Sequence, residues 1–244
     1  MMKPAFEAGF NGGCMTRIFV AALAVVVFFM TQPVHGAQAR NIELFDVPAA
    51  GTLLKGEVRG DIKLYPGGGI LTRLYVGIFD RLMIGGAFNV INVIGTGDIH
   101  VVLPLKFLGK IRITDDEGPV PAIALGYEGE GYFGVPPKGV FLAVSKEAGI
   151  GPVFVQLTGA IHTNQFAEFG REVDMGAGMA FAVTREFTAN LEYDGIFRGD
   201  RGFINGSLAY FFDPIEIAVA AKYRIGQEDM RLSRILKILY ISYF

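Results

Sequence analysis

The chain contains very few of the residues on which most enzyme and metal chemistry depends. Its 244 residues include one cysteine, three histidines and no tryptophan. The single cysteine, Cys14, precedes the N-terminal apolar run, so the rest of the chain can form neither a disulfide nor a thiolate metal site. The formal net charge of −2 lacks the basic excess that nucleic-acid binding requires. We therefore expect no cofactor, no bound metal and no nucleic-acid partner.

Long hydrophobic runs are also scarce, and the one that comes near the length of a transmembrane helix lies at the N-terminus. Residues 18–30 are apolar and follow Arg17, but they fall short of the roughly 20 residues of a spanning helix. A run of this size is typical of a signal peptide, and Ala37-Gln38-Ala39 supplies the small residues of a cleavage site. We predict that residues 1–39 are a cleaved signal peptide, with an uncleaved anchor helix as the alternative.

Strict alternation of charged and apolar residues is the most informative pattern in the chain. From Leu54 to Leu64, every second residue is apolar or glycine. The residues between them are charged and alternate in sign: Lys55, Glu57, Arg59, Asp61 and Lys63. A period of two over this length predicts a β-strand with one charged and one apolar face. Alternation recurs within residues 105–114, 153–162, 173–184, 187–194 and 215–225.

Turn-forming residues separate about twelve strand-like runs, most of them about 9–13 residues long. A tilted strand needs this length to cross a bilayer, whereas strands of soluble proteins centre on about 5–6 residues. The pattern predicts an all-β fold, a transmembrane antiparallel up-and-down β-barrel of about 12 strands, with 10 or 14 as alternatives. We expect residues 53–244 to form the barrel and residues 40–52 to form a periplasmic N-terminal segment.

Alternation alone does not say whether the apolar faces point into a protein core or out into lipid. A soluble barrel or sandwich places them inside, and a membrane barrel places them outside. Small residues such as Gly176, Gly178, Ala180 and Ala182 cluster on the polar faces, which suits a confined lumen. Aromatic residues gather near strand ends, as membrane interfaces require. We therefore predict a barrel in the outer membrane of a Gram-negative bacterium, in contact with lipid and lipopolysaccharide.

The last residues of the chain carry a resemblance of their own. Phe244 ends the chain, and Tyr240, Ile238 and Leu236 are apolar at alternating positions before it. This pattern resembles the C-terminal assembly signal of Gram-negative outer-membrane barrels. The resemblance implies that Tyr240 and Phe244 belong to an assembly signal and that the barrel-assembly machinery is a partner.

Strand and turn segments along the chain resemble the YjbH-type outer-membrane barrels, which are linked to exopolysaccharide export. The resembling segments are residues 46–52, 68–70, 77–82, 121–127, 145–146, 191–194 and 205–206. They contain no catalytic motif, so the resemblance supports the architecture and implies polysaccharide-export partners without indicating an active site.

His162 is the one residue that suggests an enzyme. It lies with Thr163 and Asn164 at a predicted outer strand end, a position compatible with a lipid-modifying hydrolase. A serine hydrolase needs a serine within hydrogen-bond reach of the imidazole. The serines after the signal peptide all lie away from His162 in sequence: Ser145, Ser207, Ser233 and Ser242. We therefore predict no catalytic residue and keep the hydrolase as an alternative.

Charged residues on the inward faces are the remaining candidates for a function. Beyond the five in residues 55–63, the basic ones are Lys106, Lys110, Arg112, Lys222 and Arg224. The acidic ones are Glu128, Glu130, Asp174, Glu192, Asp194 and Glu216. Closure would bring the strand of Lys222 near the first strand, so one wall becomes positive and the opposite wall negative.

This charge distribution leaves two interpretations open. The walls could create a transverse field that orients solutes in a narrow water-filled pore. Alternatively, oppositely charged neighbours such as Arg112 and Glu128 could pair across the interior and close it. We predict a narrow pore or binding barrel for small polar or saccharide solutes. The alternative is a non-conducting structural or envelope-assembly barrel.

Overall fold

Twelve antiparallel strands form a closed barrel in the computed structural model of the chain. The structure describes residues 41–151, 153–163, 173–197, 202–226 and 232–243, so the predicted signal peptide and Phe244 lie outside it. The strands are β1 (Glu57–Tyr65), β2 (Gly69–Phe79), β3 (Leu82–Ile91), β4 (His100–Thr114), β5 (Ala122–Glu128), β6 (Gly139–Ile150), β7 (Val153–Thr163), β8 (Val173–Ala182), β9 (Phe187–Asp194), β10 (Phe203–Phe212), β11 (Ile215–Arg224) and β12 (Ser233–Tyr243).

Each strand pairs with its neighbours in sequence, and β1 closes the ring by pairing with β12. The closing register runs from Glu57 opposite Tyr243 to Leu64 opposite Leu236. Closure leaves no edge strand, so the backbone groups of every strand have partners even in lipid. The predicted up-and-down barrel of 12 strands is confirmed. Among the described residues, no helix has the length and hydrophobicity that spanning a membrane requires.

The two faces of the strands differ sharply in exposure. Arg59, Asp61 and Lys63 are 5%, 1% and 1% exposed, whereas Leu74 and Val219 are each 53% exposed. Charged side chains therefore point inward and large apolar side chains point outward, which is the reverse of a soluble barrel. An apolar exterior of this kind is stable in lipid and not in water. The chain is an outer-membrane β-barrel.

The two ends of the barrel differ in the length of their connections. Residues 80–81, 183–186 and 213–214 are short links at the end where β1 begins. Residues 92–99 and 129–138 are long links at the opposite end. In outer-membrane barrels the short turns face the periplasm. The start of β1 therefore marks the periplasmic end.

Residues 41–53, which we call the plug, lie inside the barrel. Phe45 is 1% exposed and Val47 is 0% exposed. The prediction of a periplasmic segment over residues 40–52 was wrong for this part of the chain. The physical reason is the apolar content of the segment: its side chains leave water by packing against the inward faces of the strands. The first strand accordingly begins at Glu57 rather than at residue 53.

The plug is folded back on itself like a short hairpin. The N–H of Leu44 donates to the carbonyl of Val47 at 3.0 Å, and the N–H of Ala49 donates to the carbonyl of Ile42 at 3.1 Å. At the periplasmic end, the Thr52 hydroxyl donates to the carbonyl of Asp80 at 3.1 Å. The plug therefore enters from the periplasmic end and turns around within the lumen.

Small residues on the barrel wall make room for the plug. Leu44 and Val47 pack in one cluster with Ala143, Ala160 and Ala180. A methyl group added at Gly176 would lie 3.0 Å from Val47 Cγ2, and one added at Gly178 would lie 2.8 Å from Leu44 Cδ1. The small residues that the sequence places on the polar faces thus accommodate a protein segment.

We expect a charge on the lipid face to destabilise the barrel according to its depth. Leu74 lies at the middle of β2, and Leu103 lies near the outer end of β4. Leu74→Arg should lower the free energy of unfolding in lipid vesicles by about 2–4 kcal/mol, and Leu103→Arg by about 0–1 kcal/mol. The free energy of unfolding of each variant is measured by denaturant titration, with the folded and unfolded fractions read from their separate bands in electrophoresis. Equal losses at the two positions would contradict a lipid-facing exterior.

Candidate functional site: the charged and plugged lumen

The carboxylate of Glu43, in the plug, is bound by three basic side chains of the barrel wall. Arg73 forms a bidentate contact with it, in which Nη1 lies 2.7 Å from Oε2 and Nη2 contacts Oε1. Lys237 Nζ lies 3.0 Å from Oε1, and Arg59 Nη2 lies 3.5 Å from the same atom. These residues come from β2, β12 and β1, which are adjacent strands across the closure of the barrel. One carboxylate therefore links both sides of that closure.

Glu43 remains ionised in the lumen although it is buried. Burial alone raises the pKa of its carboxyl group, because a charged group loses its hydration there. The charges of Arg73 and Lys237 outweigh burial and hold the pKa well below the usual value of 4.5. The plug thus carries a permanent negative charge at this point.

Asp46, near the tip of the plug, occupies a second set of donors. Its Oδ1 accepts from Lys63 Nζ at 3.1 Å and from the Tyr132 hydroxyl at 2.6 Å. Its Oδ2 forms an ion pair with Lys222 and accepts from Asn205 Nδ2 at 3.3 Å. Burial raises the pKa of the Asp46 carboxyl group. The positive charges of Lys222 and Lys63 lower this pKa by more than burial raises it, so the carboxyl group is ionised.

Wall side chains also satisfy the backbone of the plug. The Glu192 carboxylate accepts hydrogen bonds from the N–H groups of Phe45 and Asp46, the latter at 3.0 Å. Lys110 Nζ donates to plug carbonyls, including that of Ala49 at 2.8 Å. Buried backbone groups must be paired, and here side chains replace the strand partner that a sheet would supply. The plug is therefore bound to the wall through side chains.

The link between β5 and β6 covers the outer end of the plug. Within it, Tyr132 and Lys138 are 6% and 3% exposed. Tyr132 packs against Tyr65 with ring centroids 5.4 Å apart, and Lys138 forms an ion pair with Asp194. The β5–β6 link thus covers the outer end of the plug.

The cavities that remain beside the plug are small. One of about 20 Å³ lies against Glu43 and Lys110, and another of about 10 Å³ lies against Lys63 and Glu130. A cavity needs roughly 10–15 Å³ to hold one water molecule. Neither of these two spaces admits a solute, so the plug fills the described part of the lumen around Glu43 and Lys63.

Most of the charged residues predicted to face the lumen lie in the interior. Ten of them are buried: Glu57, Arg59, Asp61, Lys63, Lys110, Glu130, Asp174, Glu192, Asp194 and Lys222. Five are partly buried: Lys106, Arg112, Glu128, Glu216 and Arg224.

Two details of the predicted charge pattern require correction. Lys55 is exposed, because it lies in a turn before β1, where its N–H donates to Asp80 Oδ1 at 3.1 Å. Arg112 does not pair with Glu128 but with Asp115, at 2.9 Å. Glu128 instead lies 3.1 Å from Arg73 Nη1. Lys55 and Arg112 thus belong to the periplasmic rim rather than to the middle of the lumen.

Sequence reasoning missed several residues that hold the plug. Arg73 and Lys237 lie on strands whose inward neighbours are apolar, such as Leu71 and Leu239, so no charged face was visible there. The missed members are Glu43 and Asp46 in the plug and Arg73 and Lys237 on the wall. The sequence feature that could have predicted the plug is the apolar character of both faces of β2 and β12. Apolar residues on an inward face indicate that an apolar segment, rather than water, lies against them.

His162 lies in the interior, 3% exposed, with Nε2 at 3.5 Å from Asp194 Oδ1. Neither of its ring nitrogens has a hydrogen-bond partner among the described residues. Ser145 lies opposite Thr158, four residues along β7 from His162 and thus roughly 13 Å away. Its hydroxyl accepts from the N–H of Ala50, in the plug, at 2.9 Å. Ser145 is therefore too far from His162 to be a nucleophile that this imidazole activates. Within the described ranges, no group of three or more histidine, cysteine or acidic side chains could hold a metal ion.

Comparisons with known proteins return barrels of the same type. No family model and no curated protein matches the chain. A structure of the KdgM porin is 12% identical over 77% of this chain and 99% of that one, with a TM-score of 0.49. The outer-membrane protein Omp33 of Acinetobacter baumannii is 10% identical over 77% and 97%, also at 0.49. The COG4313 outer-membrane channel from Pseudomonas putida F1 is 14% identical over 78% and 97%, at 0.44. At these scores the likeness adds nothing to what the barrel itself establishes.

We expect Glu43→Gln to loosen the plug, because it leaves Arg73, Lys237 and Arg59 without their shared anion. Removing one partner of a buried ion pair costs about 3–5 kcal/mol, which corresponds to roughly a 10²–10⁴-fold change in an opening equilibrium. Hydrogen exchange at the amides of Leu44 and Ala49 should accelerate by a factor of this order. Glu186→Gln, in an exposed periplasmic turn, is the matched control and should leave both amides unchanged. Equal exchange in the two variants would mean that Glu43 does not hold the plug.

Proposed function

We propose that the protein is a gated outer-membrane pore for small anionic solutes, and that the plug is its gate. The observation that carries this proposal is that the twelve strands close into a ring without the plug. The plug can therefore leave the lumen without breaking a single strand pair.

The connection between the plug and β1 supports such a movement. Residues 54–56 join them at the periplasmic rim, where Gly56 has a φ of 81°, a conformation that glycine adopts at little cost. The N–H of Gly56 donates to the carbonyl of Gly77 at 2.9 Å, which fixes the start of β1. Rotation about residues 54–56 would carry the plug out through the periplasmic end while the barrel stays closed.

The charges that would line the emptied lumen favour anionic solutes. Five basic side chains on β1, β2, β11 and β12 form one wall: Arg59, Lys63, Arg73, Lys222 and Lys237. Acidic side chains on β8 and β9 form part of the other: Asp174, Glu192 and Asp194. Opposite walls of opposite charge orient polar solutes, and the basic wall attracts anions. The basic side chains would favour sugar acids within this class, and the YjbH-type resemblance adds a link to polysaccharide export as a prediction.

The filled lumen also supports a second candidate, a non-conducting barrel with a structural or envelope-assembly function. The small size of the two cavities beside the plug is expected for a non-conducting barrel and equally for a pore in its closed state. In that case partners such as the polysaccharide-export apparatus would act on the outer links or on the periplasmic rim. The barrel-assembly machinery is proposed as a partner under both candidates.

Deleting residues 41–53 should convert a closed barrel into an open channel. In planar bilayers we expect little conductance from the intact protein and steady discrete conductance from the deletion variant. Heat-modifiable electrophoretic migration should first establish that both proteins are folded. A folded deletion variant that conducts no ions would favour the non-conducting candidate.

The ion selectivity of the deletion variant should depend on the basic wall. We expect it to prefer anions, and Arg73→Glu or Lys222→Glu to shift its reversal potential in a salt gradient towards cation preference. Lys55→Glu, at the exposed periplasmic rim, makes the same change of charge outside the lumen and should shift it much less. Equal shifts at all three positions would mean that the wall does not select the permeating ion.

A further inference from the structure

The wall residues that bind the plug form two separate carboxylate sites. Arg59, Arg73 and Lys237 surround the carboxylate of Glu43. Lys63 and Lys222 surround that of Asp46. All five donors belong to strands of the barrel and none to the plug. The two sites therefore persist when the plug leaves.

Without the plug, the two sites have an excess of positive charge. Arg73 retains Asp61, at 2.9 Å from its Nε, and Glu128, at 3.1 Å from its Nη1. Glu57 on β1 and Glu192 near Lys222 are further buried carboxylates of the wall, so the five basic side chains outnumber the carboxylates by one. Water that enters the emptied lumen hydrates these side chains, and the positive potential that remains attracts anions from solution.

The geometry of the plug limits the size of the anion that fits. Glu43 and Asp46 are three residues apart, so their Cα atoms are separated by at most about 11 Å. The bidentate contact of Arg73 matches the planar carboxylate group, which a guanidinium binds in this way. In the second site, the Tyr132 hydroxyl and the Asn205 amide donate to the remaining lone pairs of the carboxylate. A flexible molecule with a carboxylate at each end could satisfy both sites at once.

We infer that the lumen contains a two-point binding site for a soluble dicarboxylate, which displaces the plug by taking the places of Glu43 and Asp46. Arg59, Arg73 and Lys237 bind one carboxylate, and Lys63 and Lys222 bind the other. This inference rests on the proposed release of the plug and adds to it the class of solute and the trigger for opening. The plug then acts as an internal competitor of the solute.

Hydrogen exchange on the intact protein in detergent tests this inference, with pimelate as the probe. Pimelate should accelerate exchange at the amides of Leu44 and Ala49 at least tenfold, in a saturable manner. The diamide of pimelate, butyrate and sodium chloride at equal ionic strength should produce much smaller effects. Inorganic phosphate tests whether the sites accept any multivalent anion. Equal acceleration by phosphate, butyrate or sodium chloride would overturn the two-point site.

Variants of the full chain separate binding from a general loosening of the plug. Glu43→Gln weakens the competitor, so calorimetry should give this variant a pimelate affinity at least tenfold higher than that of the unaltered protein. Adding Arg73→Gln or Lys222→Gln to it should abolish that gain, and adding Lys55→Gln should not. Two independent wall variants guard against one that fails to fold. Unchanged affinity in both wall variants would overturn the assignment of the sites.

The outcome is distinguishable from the fate of the proposed pore. If pimelate releases the plug but the deletion variant conducts no ions, the binding site stands and the pore does not. If the deletion variant conducts but pimelate neither binds nor alters exchange, the pore stands and the dicarboxylate site is overturned.

Discussion

The pairing of buried charges inside the barrel is the interaction on which the remaining structure depends. Five basic side chains are buried in the filled lumen: Arg59, Lys63, Arg73, Lys222 and Lys237. Burial of a positive charge is costly unless an anionic group pairs with it. Glu43 and Asp46 supply two such groups, each bound by several donors rather than by one. These ion pairs thus hold a segment of the chain itself inside the polar lumen.

Apolar packing determines where that segment lies and how well it fits. Ile42, Phe45 and Leu53 join a cluster with inward residues of the strands, and Leu44 and Val47 join a second cluster with wall alanines. These contacts remove apolar surface from water, but each involves side chains only. The sheet itself is complete without them. The strand pairing of the barrel is consequently independent of the plug, which is bound to the wall through side chains.

The sequence predicted the barrel well and the plug not at all, for identifiable reasons. Alternation at Arg59, Asp61 and Lys63 is a local signal of period two, and it correctly placed charge inside and apolar residues outside. The contact between Glu43 and Lys237 spans 194 residues and has no local signature. Lys55 was misplaced because alternation continues beyond the true start of β1 at Glu57. The inward apolar residues of β2 and β12 were the one clue to the plug, because a water-filled lumen would not favour them.

The position of Glu43 across the junction of β1 and β12 has a mechanical consequence. Its carboxylate contacts Arg59 and Arg73 on one side of the junction and Lys237 on the other, so it reinforces the pairing of the first and last strands. In any up-and-down barrel this is the one strand pair that no short turn connects. A single side chain therefore both fills part of the lumen and links the first strand to the last, and withdrawing it would remove that link while the strand pairing remains.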